Sequence, residues 1–159
     1  MADRASCHLY IGGDVPRSAL PGLFKAIAEE SVEEGHVTTE QELLNSCASD
    51  GCHHLAAYEV RGGMMETLET YLRRNSIAYV RYSGGCVGAF EAEVSFFLPG
   101  TVKETSLLTT EEGYPVIPGI VAVEAFEALA HGNVHLALTV LEPYKDYKVP
   151  ELPPLRIVD

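Results

Sequence analysis

The stretch from His53 to Ser83 constrains the fold more than any other part of the chain. Two runs rich in β-branched and aromatic residues, 53–61 and 77–82, flank about twelve residues of helical periodicity. Gly62 and Gly63 mark the first junction and Asn75 marks the second. The pattern predicts a strand, a helix and a second strand. A connection of this length normally joins parallel strands through a right-handed crossover.

Further strands are predicted on both sides of this unit. Residues 7–11 form a short apolar run that ends at Gly12. Residues 89–98 alternate between apolar and polar side chains, which is typical of a strand with one solvated face. Residues 103–117 predict a hairpin around a Glu-Glu-Gly turn, and the alternation in 134–141 predicts the last strand.

Three more helices are predicted outside the central unit. The first begins after Ser18, where Leu20, Leu23 and Ile27 recur at helical spacing. A second, short helix follows a capping box formed by Thr39 and Glu42. The third covers residues 119–131, and Gly132 fits the position that ends it.

The order of these elements predicts an α+β fold. Counted from residue 53, the chain reads strand, helix, strand, strand, hairpin, helix, strand, which is the order of a ferredoxin-like split β-α-β sandwich. Its helices would lie on one face of a mainly antiparallel sheet. The N-terminal strand and two helices are then an extension, and the hairpin is an insertion. We expect a single domain over residues 1–142 and a proline-rich, extended C-terminal tail over residues 143–159.

The overall charge restricts the classes of partner. The chain has 23 acidic residues against 11 Lys and Arg residues, for a net charge of −12. Phosphate groups are bound through Lys and Arg, so nucleic acids and anionic membranes are disfavoured as partners. No apolar run approaches the roughly 18 residues of a membrane span, and the N-terminus lacks the pattern of a signal peptide. These features predict a soluble, cytoplasmic protein.

The acidic residues are concentrated in one window. Between Lys25 and Arg61 the chain has eight acidic residues and no basic one. We therefore expect a binding or regulatory protein that meets a basic partner protein through the Glu29–Glu59 region, with an affinity that salt weakens. Sheets of this type also associate through exposed edges and faces, so a homodimer is a further expectation. The predicted partner-binding residues are Glu29, Glu30, Glu33, Glu34, Glu40 and Glu42.

A zinc site is the alternative prediction. Cys47, Cys52, His53 and His54 combine thiolate and imidazole ligands, which zinc favours. Adjacent histidines on a strand point to opposite faces, so at most three of the four could bind one ion. Cys7 or His8 could add a ligand if the first strand lies beside this one. Such residues are more often buried thiols and surface histidines, so we expect no cofactor, with zinc binding or a metal-dependent enzyme as the alternative.

A second, weaker candidate for chemistry lies near the C-terminal end of the last predicted helix. Glu127 and His131 are one helical turn apart, and His135 follows across the Gly132 turn. A carboxylate with two imidazoles could hold a metal or form an acid/base pair. More often, a histidine in the last turn of a helix complements the helix dipole. Whether the chain is an enzyme stays open at this level.

Overall fold

The computed structural model describes residues 3–47, 49, 51–101, 104–145 and 148–159. The strands within these ranges are β1 (Arg4–Gly12), β2 (Asp14–Pro16), β3 (His53–Arg61), β4 (Ala78–Ser83), β5 (Glu93–Phe97), β6 (Thr105–Leu108) and β7 (Arg156–Val158). The helices are α1 (Leu20–Glu29), α2 (Glu40–Asn45), α3 (Glu66–Arg74), α4 (Gly119–Ala130) and α5 (Val134–Leu141). Short 3-10 turns cover Arg17–Ala19 and Glu142–Tyr144. Across the described ranges, every helix is too short or too polar to cross a membrane.

The chain is an α+β protein with a five-stranded antiparallel sheet. The strand order is β3-β1-β4-β5-β6, and β2 pairs separately with β7 in parallel. Both β3 and β4 run antiparallel to β1, so they are parallel to each other, and α3 connects them across β1. The strand, helix and strand that the central sequence pattern predicts are therefore all present.

One face of the sheet is covered by helices and forms the main core. Alternate residues of the strands meet the apolar stripes of α1 and α3, as the side-chain periods of strands and helices require. Each fully buried aliphatic side chain contributes about 1.5–3 kcal/mol relative to exposure. The largest fully buried apolar side chains of this core include Leu9, Ile11, Leu23, Ile27, Leu55, Leu68, Leu72 and Tyr79.

The opposite face of the sheet is covered only in part. Val80, Val94 and Leu107 form a small second core there, packed against Val149 and Leu152 of the C-terminal segment. The segment is held by backbone hydrogen bonds, including one of 2.7 Å from the Gly13 N–H to the Pro153 carbonyl. We call residues 149–153 of this segment the C-terminal strap; beyond it, the described part of the chain leaves the face partly exposed, with His8, Tyr10 and His54 half-buried. The domain boundary at residue 143 stays a prediction.

Two sequence expectations are wrong. The strand predicted at 7–11 is not an extension in front of the sheet, because it belongs to β1, which is hydrogen-bonded on both sides, to β3 and to β4. Residues 134–141 form helix α5 and not the last strand. The helix is favoured locally, because the Asn133 side chain accepts a hydrogen bond from the Leu136 N–H and Gly132 closes α4 with a φ of 70°.

The predicted hairpin at 103–117 is present in reduced form over residues 104–117, and residue 103 lies outside the described residues. The Thr110 N–H donates to the Tyr114 carbonyl at 2.9 Å, which closes the predicted turn. The first arm is β6, whereas the second arm makes only an isolated bridge between Thr109 and Pro115. Pro115 fits this position without loss of a hydrogen bond, because the bridge is closed by its neighbours: besides the Thr110 bond, the Val116 N–H donates to the Leu108 carbonyl at 2.9 Å.

Candidate functional site

The open part of the sheet is lined by aromatic and imidazole side chains. His8 and Tyr10 alternate with the buried Cys7, Leu9 and Ile11 of β1, so they project from the uncovered face. From the neighbouring strands they are joined by His54 and Tyr58 of β3 and Tyr82 of β4. We call these five residues the sheet-face cluster: His8, Tyr10, His54, Tyr58 and Tyr82.

A β-bulge shapes one end of the sheet-face cluster. Ala5 pairs with Val60 and Cys7 pairs with Ala57, so Tyr58 and Glu59 together oppose the single residue between Ala5 and Cys7. The extra residue changes the face to which the following side chain points. Alternation alone places Val60 with His54 and Tyr58, whereas the structure packs it against the main core.

The two histidines of the cluster contact each other directly. The Nδ1 atom of His8 and the Nε2 atom of His54 are 3.1 Å apart, so one of these nitrogens donates to the other. Their rings are nearly parallel, and Tyr10 stacks on His54 at 4.6 Å between ring centroids. Tyr58 and Tyr82 complete the cluster through edge contacts, with His8 and Tyr10 respectively.

Two clefts flank Tyr10 and Tyr82. The first has a volume of about 430 Å³ and extends from His8 to the turn at 109–113, where Glu111 and Glu112 line it. The second, of about 660 Å³, lies under the C-terminal strap and includes Glu151. Both volumes fall within the range of small-ligand sites. Among the described residues that line these clefts there is no Lys or Arg.

Carboxylates also lie at the Tyr58 end of the cluster. The Tyr58 hydroxyl donates to Oε1 of Glu34 at 2.5 Å, and the Tyr58 N–H donates to Oε2 of Glu33 at 3.2 Å. The hydrogen bond to Glu34 raises the pKa of Tyr58, which stays neutral. At the other end, the Thr110 side chain lowers the pKa of Glu112, which stays ionised. The cluster is therefore bordered by negative charge at both ends.

Most of the acidic window has partners within the chain. Glu30 accepts a hydrogen bond from the Leu68 N–H at 3.1 Å, close to the start of α3. Glu42 accepts from the N–H and hydroxyl of Thr38 in a capping arrangement. Glu40 pairs with Arg17, and Glu29 lies 3.7 Å from Lys25. Asp50, which also belongs to the window, lies outside the described residues.

The four residues predicted as zinc ligands point in different directions. His53 is fully buried on the helix side, where its Nδ1 lies 2.7 Å from the Ser46 hydroxyl, whereas His54 belongs to the open face. The Cys47 thiol donates to the Leu43 carbonyl, and the Cys52 sulfur lies 4.0 Å from the Pro153 carbonyl oxygen. In the described part of the chain no three His, Cys, Asp or Glu side chains converge as metal ligands. Zinc binding stays a prediction that these directions do not favour.

Cys7 and His8, the two additional candidate ligands, lie on opposite faces of the sheet. Because β1 does lie beside β3, His8 meets His54. Cys7 instead faces the main core, and burial raises the pKa of its thiol to about 12. A thiol of that acidity is protonated at neutral pH, so Cys7 is a poor ligand and a poor nucleophile.

Glu127, His131 and His135 do not converge as metal ligands, and their use as an acid/base group stays a prediction. The three side chains are exposed, and Nδ1 of His131 contacts the backbone carbonyl of Glu127 at 2.8 Å and not its carboxylate. His135 lies on α5, because this segment is a helix. The arrangement is that of a histidine at a helix C-terminus, where it complements the free carbonyls.

A buried charge network that the sequence did not indicate supports the helix-covered face. The Arg81 side chain is only 2% exposed, and its Nε lies 3.1 Å from Oε1 of Glu69 on α3. It also donates to the Gly63 carbonyl and the Ser95 hydroxyl. Burial raises the pKa of Glu69, and the charge of Arg81 opposes that rise. Removing one partner of such a pair typically costs about 3–5 kcal/mol, so we regard the network as structural.

The sheet-face cluster was also missed, although its parts were visible in the sequence. Strand periodicity alone puts His8 with Tyr10, and His54 with Tyr58. Only the strand order brings the two pairs together.

In comparisons with known proteins, no protein-family model, no curated protein and no solved structure matches this chain.

Proposed function

We propose that this protein binds a basic, Lys- or Arg-containing segment of a partner protein on the open face of its sheet. The observation that carries the proposal is the sheet-face cluster itself, bordered by Glu33 and Glu34 at one end and by Glu111 and Glu112 at the other. The clefts beside it contain no Lys or Arg among their described lining residues. Such a surface attracts cations and repels anions.

Cation–π attraction gives the cluster a way to hold a positive side chain. An ammonium or guanidinium group over a tyrosine ring gains about 0.5–2 kcal/mol, depending on how far it is desolvated. Tyr10, Tyr58 and Tyr82 supply three such rings. Neighbouring carboxylates add charge-assisted hydrogen bonds and speed the encounter with a basic partner. A cleft of about 430 Å³ is large enough for a long basic side chain.

The proposed partner is the basic protein that the composition favours. The proposed binding surface, however, includes only part of the Glu29–Glu59 region. Glu33 and Glu34 of the acidic window lie beside Tyr58, so they belong to the proposed surface. Glu29, Glu30, Glu40 and Glu42 are engaged within the chain, and we assign them structural roles. The binding surface would then include Glu111 and Glu112, which lie far from the window in sequence.

Peptide titration of charge-matched variants tests this surface. The probe is a short, unstructured Lys-rich peptide with a fluorescent label, titrated against the wild type and against a double variant, Glu111→Gln with Glu112→Gln. Both charges are exposed and therefore screened by water, so we expect a modest affinity loss of about 2- to 30-fold. A second double variant, Glu124→Gln with Glu127→Gln on α4, makes the same change in net charge and should bind like the wild type.

Two outcomes would reject the proposed surface. Equal losses in both double variants would mean that only net charge matters. A loss confined to the variant Glu29→Gln with Glu40→Gln would return the binding site to the wider acidic window. In the supporting case, NMR spectra of the imidazole protons of His8 and His54 shift on titration with the peptide, because both rings lie within the cluster.

We also infer that the sheet is a rearranged member of the ferredoxin-like class. Strands β3, β1, β4 and β5 alternate in direction, and α3 connects the parallel pair β3 and β4 across β1. Helices α1 and α3 contact the same core on one face, in keeping with this proposal. The connectivity differs, because β1 leads through α1 and α2 to its own neighbour β3.

A further inference from the structure

The α4–α5 hairpin exposes most of its apolar side chains. Within it, the buried side chains are only Ala125, Ala128 and Ala137. Phe126 is 71% exposed and Leu138 is 62% exposed. A helix that is apolar over most of its surface is normally covered by other protein or by lipid. The hairpin is therefore an apolar surface without a cover in the described part of the chain.

Six apolar residues of the hairpin form one continuous stripe. On α4, Ala122, Phe126 and Leu129 recur at spacings of four and three and so share a face, and α5 repeats this spacing with its own residues. Only three residues connect α4 to α5, and the two helices contact each other, so they form an antiparallel hairpin that presents these rows on the same side. We call this surface the hairpin stripe: Ala122, Phe126, Leu129, Val134, Leu138 and Leu141.

The charged residues of the hairpin lie on its other side. Glu124 and Glu127 are displaced from the hairpin stripe by their helical positions, and they share the far side with Ile120 and, from α5, Leu136. The hairpin stripe itself contains no charged or polar side chain. Covering it with apolar surface therefore buries no unpaired charge, which would be costly.

We propose that the hairpin stripe binds the same stripe of a second copy of this chain, so that two hairpins form a four-helix interface about a two-fold axis. Such an interface is self-complementary, as a two-fold dimer requires. At full exposure an aromatic side chain presents about 150–250 Å². Weighted by their exposures, the stripe residues present roughly 550 Å² on each copy, so complete pairing would bury about 1,100 Å² in total, close to the ~1,000 Å² expected of a specific interface.

Sedimentation equilibrium of the full chain and two matched variants tests the proposal. Phe126→Asp places a charge in the hairpin stripe, and Ile120→Asp makes a comparable change on the far side of the same helix. Both positions are more than 70% exposed, so both variants should keep the fold, as checked by circular dichroism. We expect the wild type and Ile120→Asp to sediment as dimers of the 17.3 kDa chain. In Phe126→Asp the dissociation constant should rise at least about 30-fold.

Three results would overturn the proposal. The first is a wild type that stays monomeric up to about 100 µM. The second is an equal weakening in both variants, because the interface would then not distinguish the two faces. The third is a monomeric wild type that co-sediments with neutral phosphatidylcholine vesicles and loses this binding in Phe126→Asp. That result would assign the hairpin stripe to a lipid surface.

Discussion

Individual side chains in this protein have roles that depend on which face of the sheet they occupy. His53 and His54 are adjacent in sequence, yet one is buried beside Ser46 and the other stacks on Tyr10 in the open face. The same division separates Cys7 from His8. Charged residues follow it too, since Arg81 is buried among its partners whereas Glu111 lines a cleft. Residue type alone therefore does not predict the role.

The buried His53 should make the stability of the fold depend on pH. Burial lowers the pKa of His53 from its ordinary 6.5 to about 4. Below pH 6.5 the unfolded chain takes up a proton that the folded chain does not accept until near pH 4, so stability falls as the pH falls through this range. We expect a loss of about 2 kcal/mol between pH 7.5 and pH 5 from this residue, measured by urea unfolding.

Substitution separates this contribution from those of other groups. His53→Asn removes the titrating ring, and its unfolding free energy should change less over the same pH range than that of the wild type. His36→Gln, at an exposed position, serves as the control and should follow the wild type. An unchanged pH dependence in His53→Asn would mean that His53 titrates normally and is not buried as described.

At the scale of elements, the free edge of β3 is protected by an extended segment. The N–H groups of Glu33 and Glu34 donate to the Ala56 carbonyl, and the Ala56 N–H donates to the Glu34 carbonyl. Gly35 then follows with a φ of 84°. This segment covers part of the edge, whose backbone groups would otherwise be free to pair with a strand of another chain.

Two glycine substitutions test this covering of the edge. A Cβ atom on Gly35 would lie 2.0 Å from the backbone carbonyl oxygen of His54, whereas a Cβ atom on Gly100, with a similarly positive φ of 91°, would have no neighbour within 4 Å. Gly100→Ala should cost about 1 kcal/mol from backbone strain alone. Gly35→Ala should cost at least about 2 kcal/mol more in urea unfolding, because backbone must move. Equal costs would contradict the position of this segment against β3.

Elements set by interactions between residues close in sequence were predicted correctly, whereas an element that depends on contact with another helix was not. The capping box at Thr39 and the C-terminal glycine at Gly132 are local, and the structure contains both. The segment 134–141 was predicted wrongly because valine, histidine and leucine alternate there in a way that suits a half-buried strand. A side-chain cap from Asn133 and contact with α4 outweighed that pattern.

At the scale of the whole molecule, one net charge of −12 acts on two proposed surfaces in opposite ways. The sheet-face cluster depends on attraction between carboxylates and a basic segment, which salt screens. The hairpin stripe is apolar, and two copies that carry the same charge repel each other. Screening that repulsion favours association.

Salt should therefore separate the two surfaces. Raising the ionic strength from about 0.05 M to 0.5 M shortens the Debye length from roughly 14 Å to 4 Å. Affinity for the Lys-rich peptide should fall severalfold over this range, whereas the self-association constant should stay level or rise. Both are measured on the same preparation, by titration and by sedimentation. A self-association that weakens with salt would show that charged contacts, and not the hairpin stripe, hold the copies together.

Sequence alone determined the α+β class, the central strand-helix-strand unit, the acidic character and the helix ends at Thr39 and Gly132, because these depend on composition and on neighbours within a few residues. Tertiary structure alone decided the strand order, and with it the meeting of His8 and His54, the burial of Arg81 and the position of Glu111 beside Tyr82. These depend on pairings between residues that lie 46 positions apart for the two histidines. Strand periodicity assigns each side chain to a face, but it does not say which strands are neighbours.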